Sequence, residues 1–97
     1  VICNNDDMAL GVVKALQEKD MKDQVMVVGV DFTEEAKAAI EDGTYDATVA
    51  MSPYLMGREA VIMMLKALEG QEVTSIGDST PMALVNADNV AEMSDWH

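Results

Sequence analysis

The sequence predicts an α/β fold with an open, mostly parallel sheet and helices against its faces. Three observations carry that expectation. Short strand-like and helix-like segments alternate four times along the 97 residues. The run Val25-Met26-Val27-Val28-Gly29-Val30 has no polar side chain, as expected of a strand covered by helices on both faces. Each longer helical segment opens on a residue suited to cap it: Asn5, Thr33 and Ser52.

The first predicted strand, Val1 to Cys3, stops at Asn4-Asn5-Asp6-Asp7. Beyond it Ala9, Val12, Val13 and Leu16 recur at helical spacing, which predicts a helix running to about Lys19. Asp6 and Asp7 fall in its first turn, where the helix dipole favours negative charge. The second strand, Val25 to Val30, ends at Asp31. Gly29 within it marks either a close backbone approach or tight packing of a helix above, with packing preferred, and Gly11 in the first helix reads the same way. Thr33 then caps a short helix with Glu34 and Glu35 in its first turn and Gly43 as its stop. A third strand spans Asp46 to Met51.

Ser52-Pro53 starts the longest helix, pairing a capping hydroxyl with a proline at the first helical position, and Gly70 stops it. Val61, Met64, Leu65 and Leu68 form one apolar stripe and Met56, Ala60, Met63 and Ala67 a second. A surface that wide is expected to be largely covered. The signal fades from Gln71 to Thr80, where Gly77-Asp78-Ser79 reads as a loop. A last strand, Met82 to Val85, precedes a capped turn at Asp88 and a small helix reaching Trp96.

Composition removes several functions. With 6 Lys and Arg against 18 Asp and Glu the net charge is −12, so no nucleic-acid partner is expected, because phosphate recognition needs clustered basic residues. Charges interrupt every apolar run before the ~18 residues that a membrane span needs, so no membrane insertion is expected. The single cysteine, Cys3, excludes an internal disulfide and reads as a buried thiol. The single histidine is the last residue, His97, so a zinc site or a Cys/His pair has no basis in these residues. No phosphate-cradling glycine loop is present. An enzyme is not expected, nor a cofactor. Val1 opens the chain inside a strand and without a methionine, as a piece of a longer protein would.

In an open α/β sheet, ligands bind outside the carboxyl ends of the strands, where this chain places Asn5, Asp31 and Met51. An amide donates and accepts, and a carboxylate accepts from two hydroxyls at once, so the first two suit a sugar or polyol. Both also suit the plainer work of capping the helices that follow. Phe32 could flank a pyranose with its ring or belong to the core. Asp6, Asp7 and Asp31 together could instead hold Mg²⁺, as in a phosphoacceptor receiver domain. Such domains place a lysine after a late strand, and here that place holds Asn86-Ala87-Asp88.

Three stretches, Val1-Ile2-Cys3-Asn4-Asn5-Asp6-Asp7-Met8-Ala9-Leu10-Gly11, Val27-Val28-Gly29-Val30-Asp31 and Asp42-Gly43-Thr44-Tyr45-Asp46-Ala47-Thr48-Val49-Ala50, resemble the C-terminal part of type I periplasmic sugar-binding proteins such as the ribose and galactose receptors. The resemblance implies a two-lobed, periplasmic-binding-protein-like fold that closes on a monosaccharide or related polyol and delivers it to an ABC permease. It implies ligand contacts from Asn5 and Asp31. The third family position, usually Gln or Asn at the hinge, falls on Met51, whose thioether cannot replace an amide. By the same analogy residues 1–51 belong to the C-terminal lobe, residues 52–80 cross the hinge to pack with the N-terminal lobe, and residues 81–97 hold the return strand and terminal helix. The aromatic residues that sandwich the sugar would then lie upstream, and the isolated chain would bind sugar weakly or not at all. The implied location is periplasmic or otherwise extracytoplasmic, free or lipoprotein-anchored. The effector domain of a lactose-repressor-type regulator shares the fold and two of the motifs. Those regulators usually carry a proline and a Leu-Thr-Thr-like stretch before the third strand, where this chain has Gly43-Thr44-Tyr45-Asp46-Ala47-Thr48.

Overall fold

A computed structural model of the chain describes residues 1–73 and 80–93. Its sheet has three strands in the order β1 (Val28–Asp31), β2 (Ala47–Met51), β3 (Met82–Asn86). β1 and β2 are parallel, with Asp31 opposite Ala50, while β3 runs antiparallel to β2, with Met82 opposite Met51. The expected first strand is reduced to a single parallel bridge between Ile2 and Val28, flanked by bonds from the Cys3 N–H to the Val28 carbonyl and from the Val28 N–H to the Val1 carbonyl.

The second strand is shorter than its apolar run, because β2 begins only opposite Val28. Before that point the Val27 N–H donates to the Asp46 carboxylate at 2.8 Å, which replaces a ladder bond with a side-chain bond. The same Oδ2 receives Lys22 Nζ at 2.9 Å. Burial pushes the Asp46 carboxyl up, but the Val27 N–H and the Lys22 ammonium outweigh this and hold it below its ordinary value. Asp46, expected as the first residue of a strand, therefore acts as a tie between β1 and β2.

The helices are α1 (Asp6–Glu18), α2 (Glu34–Asp42) and α3 (Pro53–Leu68), capped by Asn5, Thr33 and Ser52. Each capping oxygen accepts an N–H three residues on, at 2.9, 3.1 and 3.2 Å respectively. Gly43 ends α2 at φ 87°, a left-handed conformation that a Cβ would penalise. α1 lies on β1, and α2 packs against a short 3₁₀ turn at Val90–Met93. One core joins them, built from Ala9, Val13, Val27, Phe32, Ala36, Ile40, Tyr45, Ala50, Val85 and Val90.

Gly29 explains the close approach of α1. A Cβ there would overlap the Tyr45 hydroxyl and lie 3.0 Å from the Asn5 carbonyl oxygen and 3.1 Å from the Ala9 Cβ. Gly11 behaves differently: nothing lies within 4 Å of the place its Cβ would take, so helix packing does not require it. The turn after β3 is closed by Asn86 and Asn89, the former accepting the Asp88 N–H at 2.9 Å, so Asp88 is held by the turn and is not its cap. Cys3 is half-buried at the edge of the core. Among the described residues α3 buries none: the stripe Val61, Met64, Leu65 and Leu68 is exposed, and in the second stripe only Met56 and Met63 are half-buried. The Gly77-Asp78-Ser79 loop and the end of the terminal helix at Trp96 lie outside the described residues, as does His97.

Candidate ligand site

Because the Val1–Cys3 segment, β1 and β2 run parallel, the residues that follow them emerge at one edge of the sheet. That edge carries Asn5, Asp31 and Met51. Asn5 spends its Oδ1 on the Met8 N–H, which leaves both N–H donors of its amide outside the capping bond.

Asp31 ends β1 as an exposed residue whose carboxyl is partly shielded from solvent. Burial first, and then the charges of Asp6 and Asp7, hold that carboxyl above its ordinary value. Its φ is 125° and that of Phe32 is 65°. Two consecutive non-glycine residues in this region cost of order 1–3 kcal/mol each, and such strain persists only where surrounding structure enforces it. Phe32 supplies part of that enforcement, since its ring is 2% exposed and packed in the core. Met51 is half-buried at the end of β2, beside Met82 of β3.

The residue that sequence reasoning undervalued is Asp6. It was expected to interact with the helix dipole from the first turn of α1; it occupies that turn but is fully buried and accepts three hydrogen bonds. Oδ1 receives the Tyr45 hydroxyl at 2.8 Å and the Thr48 hydroxyl at 2.6 Å, and Oδ2 receives the Thr33 N–H at 3.0 Å. Burial pushes the Tyr45 phenol well above its ordinary range, and the Asp6 carboxylate that accepts its hydrogen bond pushes it further, so the hydroxyl stays a donor. The signal available in the sequence was Thr48, a hydroxyl in an otherwise apolar strand that needs a buried partner.

This geometry removes Asp6 from the acidic constellation considered for Mg²⁺, because its oxygens face inward. Among the described residues, no group of three or more His, Cys, Asp or Glu side chains is placed to hold a metal ion. Two polar hollows lie at the opposite, amino ends of the strands, lined in part by Lys22, Asp23, Gly43 and Asp46. Neither includes Asn5, Asp31 or Met51. No helix among the described residues is long and apolar enough to cross a membrane.

The periplasmic binding protein domain matches residues 1–72. The ribose import binding protein of Salmonella typhimurium is 42% identical over 73 residues, covering 75% of this chain and 24% of that protein. An ABC transporter solute binding protein from Mycobacterium smegmatis, solved with bound glycerol, is 37% identical with a TM-score of 0.79, over 96% of this chain and 32% of that one. A second, from Bacillus halodurans and solved with bound myo-inositol, is 33% identical with a TM-score of 0.78, over 100% of this chain and 33% of that one. The chain thus spans a quarter to a third of the length of these relatives. On the match over residues 1–72, the chain belongs to the periplasmic binding protein domain family.

Proposed function

We propose that the chain forms part of the solute-binding component of an ABC-type transporter, with a sugar or cyclic polyol as its ligand. The observation that carries this reading is the placement of Asn5 and Asp31 at one sheet edge, in a chain similar along nearly its whole length to proteins solved with glycerol and myo-inositol. Asp31 accepts hydrogen bonds from ligand hydroxyls and the Asn5 amide donates to them. Met51 offers a thioether where an amide would complete the set, and so presents an apolar contact to the ligand. The protein binds and releases its ligand without transforming it, works outside the cytoplasm and passes the ligand to a permease.

Residues 1–51 act as part of one lobe, residues 52–80 cross to the other and residues 81–97 return. The edge bearing Asn5 and Asp31 then forms one wall of a crevice whose second wall comes from the other lobe. Ligand held between two lobes favours the closed state only by its extra affinity for that state, so contacts from both walls are what drive closure.

The test is calorimetry on the intact two-lobed protein with D-ribose, myo-inositol and glycerol. Asp31→Ala is expected to weaken binding of the best ligand by about 1–3 kcal/mol, the cost of leaving hydroxyl groups without their acceptor. Unchanged affinity refutes the reading.

A further inference from the structure

The three donors on Asp6 come from different parts of the chain. Tyr45 stands just ahead of β2, Thr48 lies within it, and Thr33 lies between β1 and α2. The first two fix the carboxylate to the middle of the sheet. The third lets it act on something else.

That something is the turn at Asp31 and Phe32. Their positive φ values define the direction in which the Asp31 carboxyl leaves the sheet, and a chain of L-residues relaxes from that conformation unless both of its ends are held. On the β1 side the ladder to Ala50 holds it. On the far side the Thr33 N–H, one residue past Phe32, is held by Asp6 Oδ2. Asp6 is also the first residue of α1, directly after Asn5, so one buried carboxylate is tied to the residue two beyond Asp31 and adjoins Asn5 in the chain.

We propose that Asp6 is the positioning residue of the ligand site, setting the separation and direction of Asn5 and Asp31 before ligand arrives. The proposal rests on the reading of Asn5 and Asp31 as ligand contacts. Asp6 touches no ligand, since its oxygens are turned inward onto Tyr45, Thr48 and Thr33. Its work is preorganisation: polar groups fixed in advance lose less freedom when they bind.

Asp6 acts on Asp31 through its charge as well. Burial first, and then the negative charges of Asp6 and Asp7, both from α1, keep the Asp31 carboxyl above the ordinary value. Without the Asp6 charge, Asp31 stays ionised to lower pH, and the acid limb of ligand binding moves down with it.

The experiment is a double-mutant cycle on the intact protein, with D-ribose and myo-inositol titrated calorimetrically across the acid range. Asp6→Asn is expected to weaken binding by about tenfold or more, but by less than about threefold when added to Asp31→Ala, because most of its effect passes through Asp31 and only the part through Asn5 remains. The acid limb of the Asp6→Asn protein should also lie at lower pH than that of the parent. Should Asp6→Asn fail to fold, Thr48→Val keeps the branched shape, removes one donor to Asp6 and runs through the same cycle with a smaller effect. Equal factors in the two backgrounds, or an acid limb unmoved in the Asp6→Asn protein, overturn the positioning role in favour of a purely structural one; Thr48→Val keeps the Asp6 charge, so that variant is judged on the cycle alone. Loss of affinity in Asp31→Ala with none in Asp6→Asn or Thr48→Val overturns it while sparing the site. Unchanged affinity in Asp31→Ala overturns both.

Discussion

Asp31 is pulled by two opposed demands. The proposed ligand contact asks for an ionised acceptor at the end of β1, while burial and the neighbouring charges of Asp6 and Asp7 favour the neutral acid. Its folded-state pKa lies above the ordinary value of 3.8, so the penalty is absent well below that pH, grows as pH rises through it and is complete above the raised value. Asp31→Asn removes the charge and keeps a residue type that tolerates positive φ. It is therefore expected to raise the melting temperature at neutral pH while weakening ligand binding. The gain should vanish at strongly acidic pH, where the parent carboxyl is already protonated. Thermal unfolding at the two pH values checks this, and an equal gain at both would mean that charge is not its cause. Of the residues at this edge, Asn5 and Asp31 were legible in the sequence because they follow strands. Asp6 was not, because periodicity cannot reveal that three donors distant in sequence converge on one carboxylate.

At the scale of elements, packing of α1 on β1 depends on the missing side chain at Gly29. Gly29→Ala is expected to destabilise the fold by about 1–3 kcal/mol, since the atoms in the way include the Asn5 carbonyl and the Ala9 Cβ, which move only with α1 itself. Urea unfolding would measure the loss, and a stability equal to that of the parent would show that α1 has room to shift. The three helix starts were readable from Asn5, Thr33 and Ser52 because N-caps are local chemistry. Strand limits were less readable. A ladder extends only as far as its partner, so the Val25–Val30 run yields a strand beginning at Val28, and the first segment shrinks to one bridge.

The whole molecule is extended for its size. A radius of gyration of 16.5 Å exceeds the roughly 12.5 Å expected of a compact chain of this length. α3 buries no residue, and Val61, Met64, Leu65 and Leu68 are each more than half exposed. A helix this apolar forms stable structure by burying its stripes against something, which agrees with the proposal that residues 52–80 pack on the other lobe. Leu65→Lys with Leu68→Lys should reduce self-association of the isolated chain and leave its core stability unchanged. In the intact protein each of the two replacements is expected to cost about 2–5 kcal/mol, the loss of one buried leucine. Sedimentation of the isolated chain and denaturant unfolding of the intact protein read the two effects, and an indifferent intact protein would place this face in solvent.

The sequence by itself determined the alternation of strands and helices, the three capped helix starts and the two polar residues at the strand ends. Each of these follows from periodicity or from chemistry between residues a few positions apart. Only the tertiary structure decided that Asp6 joins α1, β2 and the turn after β1, that Gly29 sets the height of α1 and that α3 lies bare. Those facts depend on which distant segments meet, and a linear pattern of apolar and polar residues carries no record of such meetings.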